Sequence, residues 1–191
     1  DMTYDLENFC ADCQKDITEA GDTSNLENVR TNLEKLLENQ DFLDATCGPD
    51  AEAGTHVLYQ DPDKDFMVLA HINPTGKTSP PHDHGKSWAI YGQAIQFTEM
   101  SEYDRVDDET EDGIAEVSLR KKYRLEPGMA GMFKAHEIHS IHFPDNARFI
   151  RVTGTDLTQL HTKRFDQNAG TVTVIAPNDT GDVSGAASVA S

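Results

Sequence analysis

The chain has 191 residues, 37% hydrophobic and 26% charged, which suits one domain with its own core rather than a disordered segment. Its formal net charge is -18, and this argues against nucleic acid and anionic membranes as partners, because both need a basic face. No run of about 18 apolar residues crosses a membrane, and the acidic opening, Asp1 to Glu7, has no signal-peptide character.

Three cysteines, Cys10, Cys13 and Cys47, are an odd, low count that fits a reducing compartment, so a cytoplasmic location is expected. Cys10 and Cys13 form a C-x-x-C, but no second pair completes a zinc site. With Leu6, Phe9 and Ile17 they mark an apolar stripe at helical spacing over residues 4–19, and core packing is their expected role. Gly21 ends that helix. Ser24 and Glu27 form a candidate capping box, ahead of a second amphipathic helix through Leu26, Val29, Leu33, Leu36 and Leu37. Residues 42–45 continue it, and Gly48-Pro49 closes the helical part.

From residue 54 the pattern changes to strands. They are expected at 55–60, 66–73, 88–98 (interrupted at Gly92), 115–125, 130–135, 138–143, 147–153 and 171–176. Turns fall at Asp61-Pro62-Asp63, Pro74-Thr75-Gly76, Glu126-Pro127-Gly128 and Pro144-Asp145-Asn146. Residues 102–113 read as a polar connection, and Lys121, Lys122 and Arg124 as a solvated strand face. Residues 1–50 are therefore a helical preface, 54–176 an all-β barrel or sandwich, and 177–191 a disordered tail.

The chemistry concentrates in Pro80-Pro81-His82-Asp83-His84-Gly85. Two histidines one residue apart on an extended segment point to the same side, which makes half a metal site. Downstream, His136, His139 and His142 offer the other half. His71 and His161 read as structural or exposed.

An H-x-H strand, a Pro-Gly turn, a short strand and one further histidine together resemble the cupin superfamily. That resemblance implies a double-stranded β-helix (a jelly-roll barrel) whose histidines converge on one divalent metal. The glutamate that many cupins carry soon after H-x-H has no counterpart here, Glu99 being too far along. A three-histidine site is similar to that of the thiol dioxygenases, the cysteine dioxygenase-like family. Phe165-Asp166-Gln167 with Gly170 and Val172 also resembles that family's C-terminal segment. The resemblance covers roughly residues 55–175 and places the third ligand at His139, with His142 and His136 as alternatives.

It implies Fe(II), with Zn, Ni and Mn as other candidates, since ligand type alone does not choose the metal. Three protein ligands leave open positions, as a catalytic site requires. The implied partners are a small-molecule thiol substrate and dioxygen. The family's arginine upstream of H-x-H is matched here by His56. Its serine-histidine-tyrosine relay is matched by Phe149, Arg151 and Thr153, and its crosslinking cysteine by Ala89. Arg151 and His56 are then the candidates to orient substrate charge, and Trp88, Tyr91 and His142 the candidates to line the pocket. The expected activity is oxidation of a small thiol to its sulfinate. The alternatives are a metal-dependent cupin lyase or isomerase acting on a small carboxylate, and a non-catalytic cupin that binds a small ligand.

Overall fold

In the computed structural model, which describes residues 3–178, the chain starts with three helices: α1 (Leu6–Asp16), α2 (Leu26–Leu36) and α3 (Gln40–Cys47). Asp5 caps α1 in a reciprocal box with Asn8. The box expected at Ser24 and Glu27 does not form. Ser24 turns its hydroxyl back to Asp22 at 2.7 Å, and Asn25 starts α2 with no side-chain cap. Asn39 caps α3 through the N–H of Phe42 and holds the carbonyl of Tyr4. Cys10, Cys13 and Cys47 are buried free thiols. Burial raises the Cys10 thiol to about 12 and the other two above their ordinary value, which suits packing rather than redox work.

Among the described residues eleven strands follow: β1 (Gly54–Gln60), β2 (Met67–Asn73), β3 (Lys77–Thr78), β4 (Ala89–Ile95), β5 (Thr98–Arg105), β6 (Val117–Leu125), β7 (Ala130–Phe133), β8 (Ile138–Phe143), β9 (Ala147–Thr153), β10 (Thr162–Asp166) and β11 (Thr171–Ile175). They form a five-stranded sheet in the order β1-β2-β9-β4-β7, a four-stranded sheet in the order β3-β8-β5-β6, and the hairpin β10-β11. All pairings are antiparallel. The inner faces of the two larger sheets share one core of Ala89, Tyr91, Met100, Leu125, Phe133, Ile141, Phe143, Ala147 and Phe149. This is the expected all-β jelly roll with a helical preface.

Two strand expectations need correcting. The strand over 88–98 is not broken at Gly92 but runs through it. A Cβ there would lie 2.8 Å from the Leu33 side chain, so the glycine lets α2 approach the sheet. The break comes at Gln96, where φ is 62°. The polar connection expected from residue 102 is also strand as far as Arg105. There the acids pair with β6: Arg120 bonds Asp104 at 2.7 Å and Glu102 at 3.0 Å. The tail expected from 177 onward lies, past Asn178, outside the described residues.

The helices cover the outer face of the five-stranded sheet. Phe9, Val29, Leu33 and Leu36 pack on Val68, Ala70, Ile72, Ile90, Ile150 and Val152. Each large side chain so buried stabilises the fold by about 1.5–3 kcal/mol. Strand alternation turns the other set of β2, β4 and β9 residues into the barrel. Among the described residues no helix is long and apolar enough to cross a membrane.

Candidate metal centre

Residues 80–85 enter the barrel wall as an extra extended segment. His82 N–H donates to the carbonyl of His139, and His139 N–H donates back to that of His82, both at 2.9 Å. On the other side Phe165 N–H donates to Pro81 and Asp83 N–H to Lys163. The Asp83 carboxylate accepts from the N–H groups of Lys163 at 2.8 Å and Gly85 at 3.1 Å. The segment is thus clamped between β8 and β10. Gly85 ends it at φ 61°, where a Cβ would collide with the carbonyl of His161, so only glycine fits. The Phe165 stretch found by resemblance forms part of this clamp.

Register then brings three imidazoles together. His82 and His84 point the same way, and His139 faces them from β8. Their ligand nitrogens all lie within 4.8 Å of one another, and the three residues are buried. His139 Nε2 lies 3.0 Å from His84 Nε2. Phe133 stacks on the His139 ring, with centroids 3.8 Å apart and planes 12° from parallel.

The donor chemistry fits a divalent ion. His82 Nδ1 lies 2.8 Å from the carbonyl of Pro80, and His139 Nδ1 lies 3.0 Å from that of Glu137. A carbonyl can only accept, so each Nδ1 carries its proton and each Nε2 keeps a lone pair aimed inward. His82 Nε2 is buried with no hydrogen-bond partner. Burial holds His82 down to about 4 and holds His84 and His139 well below the ordinary histidine value, so all three are neutral near pH 7. Converging neutral lone pairs, that of His82 with no donor to meet it, are what a cation satisfies.

Beside the histidines stands a buried cation. Arg151 is 3% exposed and lies opposite Leu69 of β2 and Tyr91 of β4, facing into the barrel. It hydrogen-bonds Tyr91, whose hydroxyl is 3.3 Å from His84 Nε2. The buried acids are engaged elsewhere. Asp61 is held by Tyr59 and Gln14 under α1, Asp83 by the backbone clamp, and Glu102 by Arg120.

Four other candidate residues are not brought to this group. His56 stands opposite Ala70, on the face turned toward the helices, with Nε2 2.7 Å from the carbonyl of Glu52. Trp88 belongs to the cluster under the helices, because it alternates with Tyr91. His142 points outward from β8 and meets Thr78 Oγ1 at 2.6 Å; an odd offset from His139 puts it on the opposite face. His136 is exposed, in the turn before β8. Residue patterns did not single out Phe133 or Glu102. Glu102 faces His139 across the β5–β8 register, and only strand pairing shows it.

No family model matches the sequence, and no curated protein does. Solved structures resemble it in part. A cupin superfamily protein from Desulfitobacterium hafniense DCB-2 is 15% identical over 56% of this chain and 84% of that one, at TM-score 0.40. KdgF from Halomonas sp. is 18% identical over 52% of this chain and 74% of that one, at TM-score 0.40. An RmlC-like cupin protein from Desulfovibrio desulfuricans is 10% identical over 52% and 78%, at TM-score 0.36. The fold assignment itself rests on the strand order and register above.

Proposed function

We propose that the protein is a mononuclear non-haem iron thiol dioxygenase acting on a small organic thiol that carries an acid group. The observation behind this reading is the charge of the site. Three neutral imidazoles lie within 4.8 Å of one another with no carboxylate among them, and the buried Arg151 faces the same interior. A divalent ion held by His82, His84 and His139 would keep its full charge next to a guanidinium. A ligand that is both thiolate and carboxylate offsets both.

Iron, when bound, would supply dioxygen chemistry and favour the thiolate form of a coordinated thiol. The chain's own groups do the rest. The carbonyls of Pro80 and Glu137 hold the ring protons of His82 and His139 on Nδ1. The Phe133 stack fixes the plane of His139. Arg151 grips the substrate acid through paired N–H donors. Tyr91, between His84 and Arg151, would offer a hydroxyl proton to a thiol bound at the three histidines. Phe149, Phe143 and Ile141 add buried apolar surface to the barrel interior. The overall change is RSH plus O2 to RSO2H, with both oxygen atoms ending on sulfur.

Oxygen uptake by the iron-loaded protein tests the reading, with cysteine, 3-mercaptopropionate and cysteamine as substrates and mass spectrometry of the products. The expected result is one O2 consumed per sulfinate formed. If no thiol is turned over while a zinc- or nickel-loaded form transforms a small carboxylate, the metal acts as a Lewis acid and the dioxygenase reading is lost.

A further inference from the structure

His71 is a buried group on the inner face of β2 that the reaction above leaves unused. It is 1% exposed, opposite Phe149 in register, and its ring stacks on Phe149 with centroids 4.9 Å apart. Its Nδ1 lies 3.2 Å from Thr55 Oγ1 on β1. Its Nε2 is buried with no hydrogen-bond partner, a state that is costly unless a ligand fills it.

The surroundings of that nitrogen are cationic. Arg151 lies one pair along the same face, and diagonal neighbours on such a ladder are about 7–8 Å apart, within reach of a long side chain. Lys77 stands opposite Phe143 on the inner side of the facing sheet. Burial above all, with Arg151, His56 and Lys77 acting in the same direction, keeps the ring neutral. A neutral ring under the influence of cations gains nothing from a proton, but it can donate a hydrogen bond.

We propose that His71 Nε2–H and Arg151 together bind the acid group of the substrate, which makes His71 a specificity-determining residue. The site then selects small thiols bearing a carboxylate over thiols bearing only an amine. This rests on the reading of the site as one for acid-bearing thiols. In this arrangement the Thr55 hydroxyl donates to Nδ1, which leaves the ring proton on Nε2. Arg151 supplies the charge. The imidazole, short and pinned by its stack, sets how far from the three histidines the acid sits, and so which chain length fits between thiol and acid.

The test is calorimetric titration of the zinc-loaded protein, which needs no turnover, with 3-mercaptopropionate and with cysteamine. The wild type is expected to prefer the acid. His71→Leu is expected to weaken 3-mercaptopropionate about tenfold or more, the range of one hydrogen bond to a charged group, and so to shrink the preference for acid over amine. His71→Gln keeps an N–H donor and is expected to recover most of it. If His71→Leu does not fold, His71→Phe carries the same comparison. Acid binding unchanged in His71→Leu, or a loss that His71→Gln does not recover, overturns the proposal. If Arg151→Met alone loses the acid, only the role of His71 is lost. If the wild type shows no preference for the acid, the acid-thiol reading fails and the proposal with it.

Discussion

The two faces of β2, β9 and β4 are built from alternate residues of the same strands, and they differ in polarity: the inner one mixes apolar Ala89, Ala147 and Phe149 with polar groups, and the outer one is apolar. Val68, Ala70, Ile72, Ile90, Ile150 and Val152 face the helices and are apolar. His71, Tyr91, Gln93, Arg151 and Thr153 face the barrel and are polar, yet equally buried. A buried polar interior is costly unless each group is satisfied. The helical layer lets the strands bury their second face as well, and that burial offsets the cost. Both sides of the sheet contribute to stability, and the chemistry lies on the inner side alone.

The largest expected effect comes from the chemical side. His139→Ala is expected to leave the purified protein without bound metal and without thiol turnover, read by elemental mass spectrometry and oxygen uptake. Retained metal would show that His139 is not a ligand. On the other side, Ile150→Ala is expected to cost about 2–5 kcal/mol in urea denaturation, as deletion of a buried side chain does, while metal per folded chain stays unchanged. Metal loss from folded Ile150→Ala would dissolve the division between the faces.

Much of this was legible in residue order. The change from helical to strand spacing near residue 54 and the strand over 138–143 follow from periodicity, because burial on one face imposes it; the H-x-H pair is a motif, and the cupin resemblance pointed to His139 as its partner. The pocket was less legible. Trp88 and Tyr91 look alike as aromatic strand residues, and only register separates the one under the helices from the one beside His84. His56 shows the same limit, since its position beside Ala70 depends on strand pairing. The Ser24 box failed because a competing local acceptor, Asp22, captured the hydroxyl.

The inner face also carries a pH dependence that the outer face lacks. In the folded chain burial holds His82 to about 4, against an ordinary 6.5. As pH falls below 6.5 the unfolded chain takes up a proton that the folded chain refuses. Stability of the metal-free protein therefore falls across that window and is fully present only above it. For His82 alone the loss is on the order of 3 kcal/mol, and His71, His84 and His139, also held down by burial, act in the same direction. Urea denaturation with chelator at pH 7, 6 and 5 measures it; a flat series would mean the imidazoles are not buried neutral. Bound metal competes with those protons, so the loaded protein should hold its stability to lower pH.

The smallest effect is the sharpest test of alternation. His142 lies on the same strand as His139, but an odd number of residues separates them, so its ring faces out toward Thr78. His142→Ala removes an exposed side chain that touches neither the histidine group nor Arg151. Its expected cost is within about 0.5 kcal/mol, with metal content and thiol turnover as in the wild type. The contrast with His139→Ala holds strand, residue type and neighbourhood nearly constant and changes only the face. If His142→Ala instead lost its metal, β8 would be slipped by one residue. Ile141 and Phe143 would then leave the barrel core together, and a stability loss of core size would accompany the lost metal.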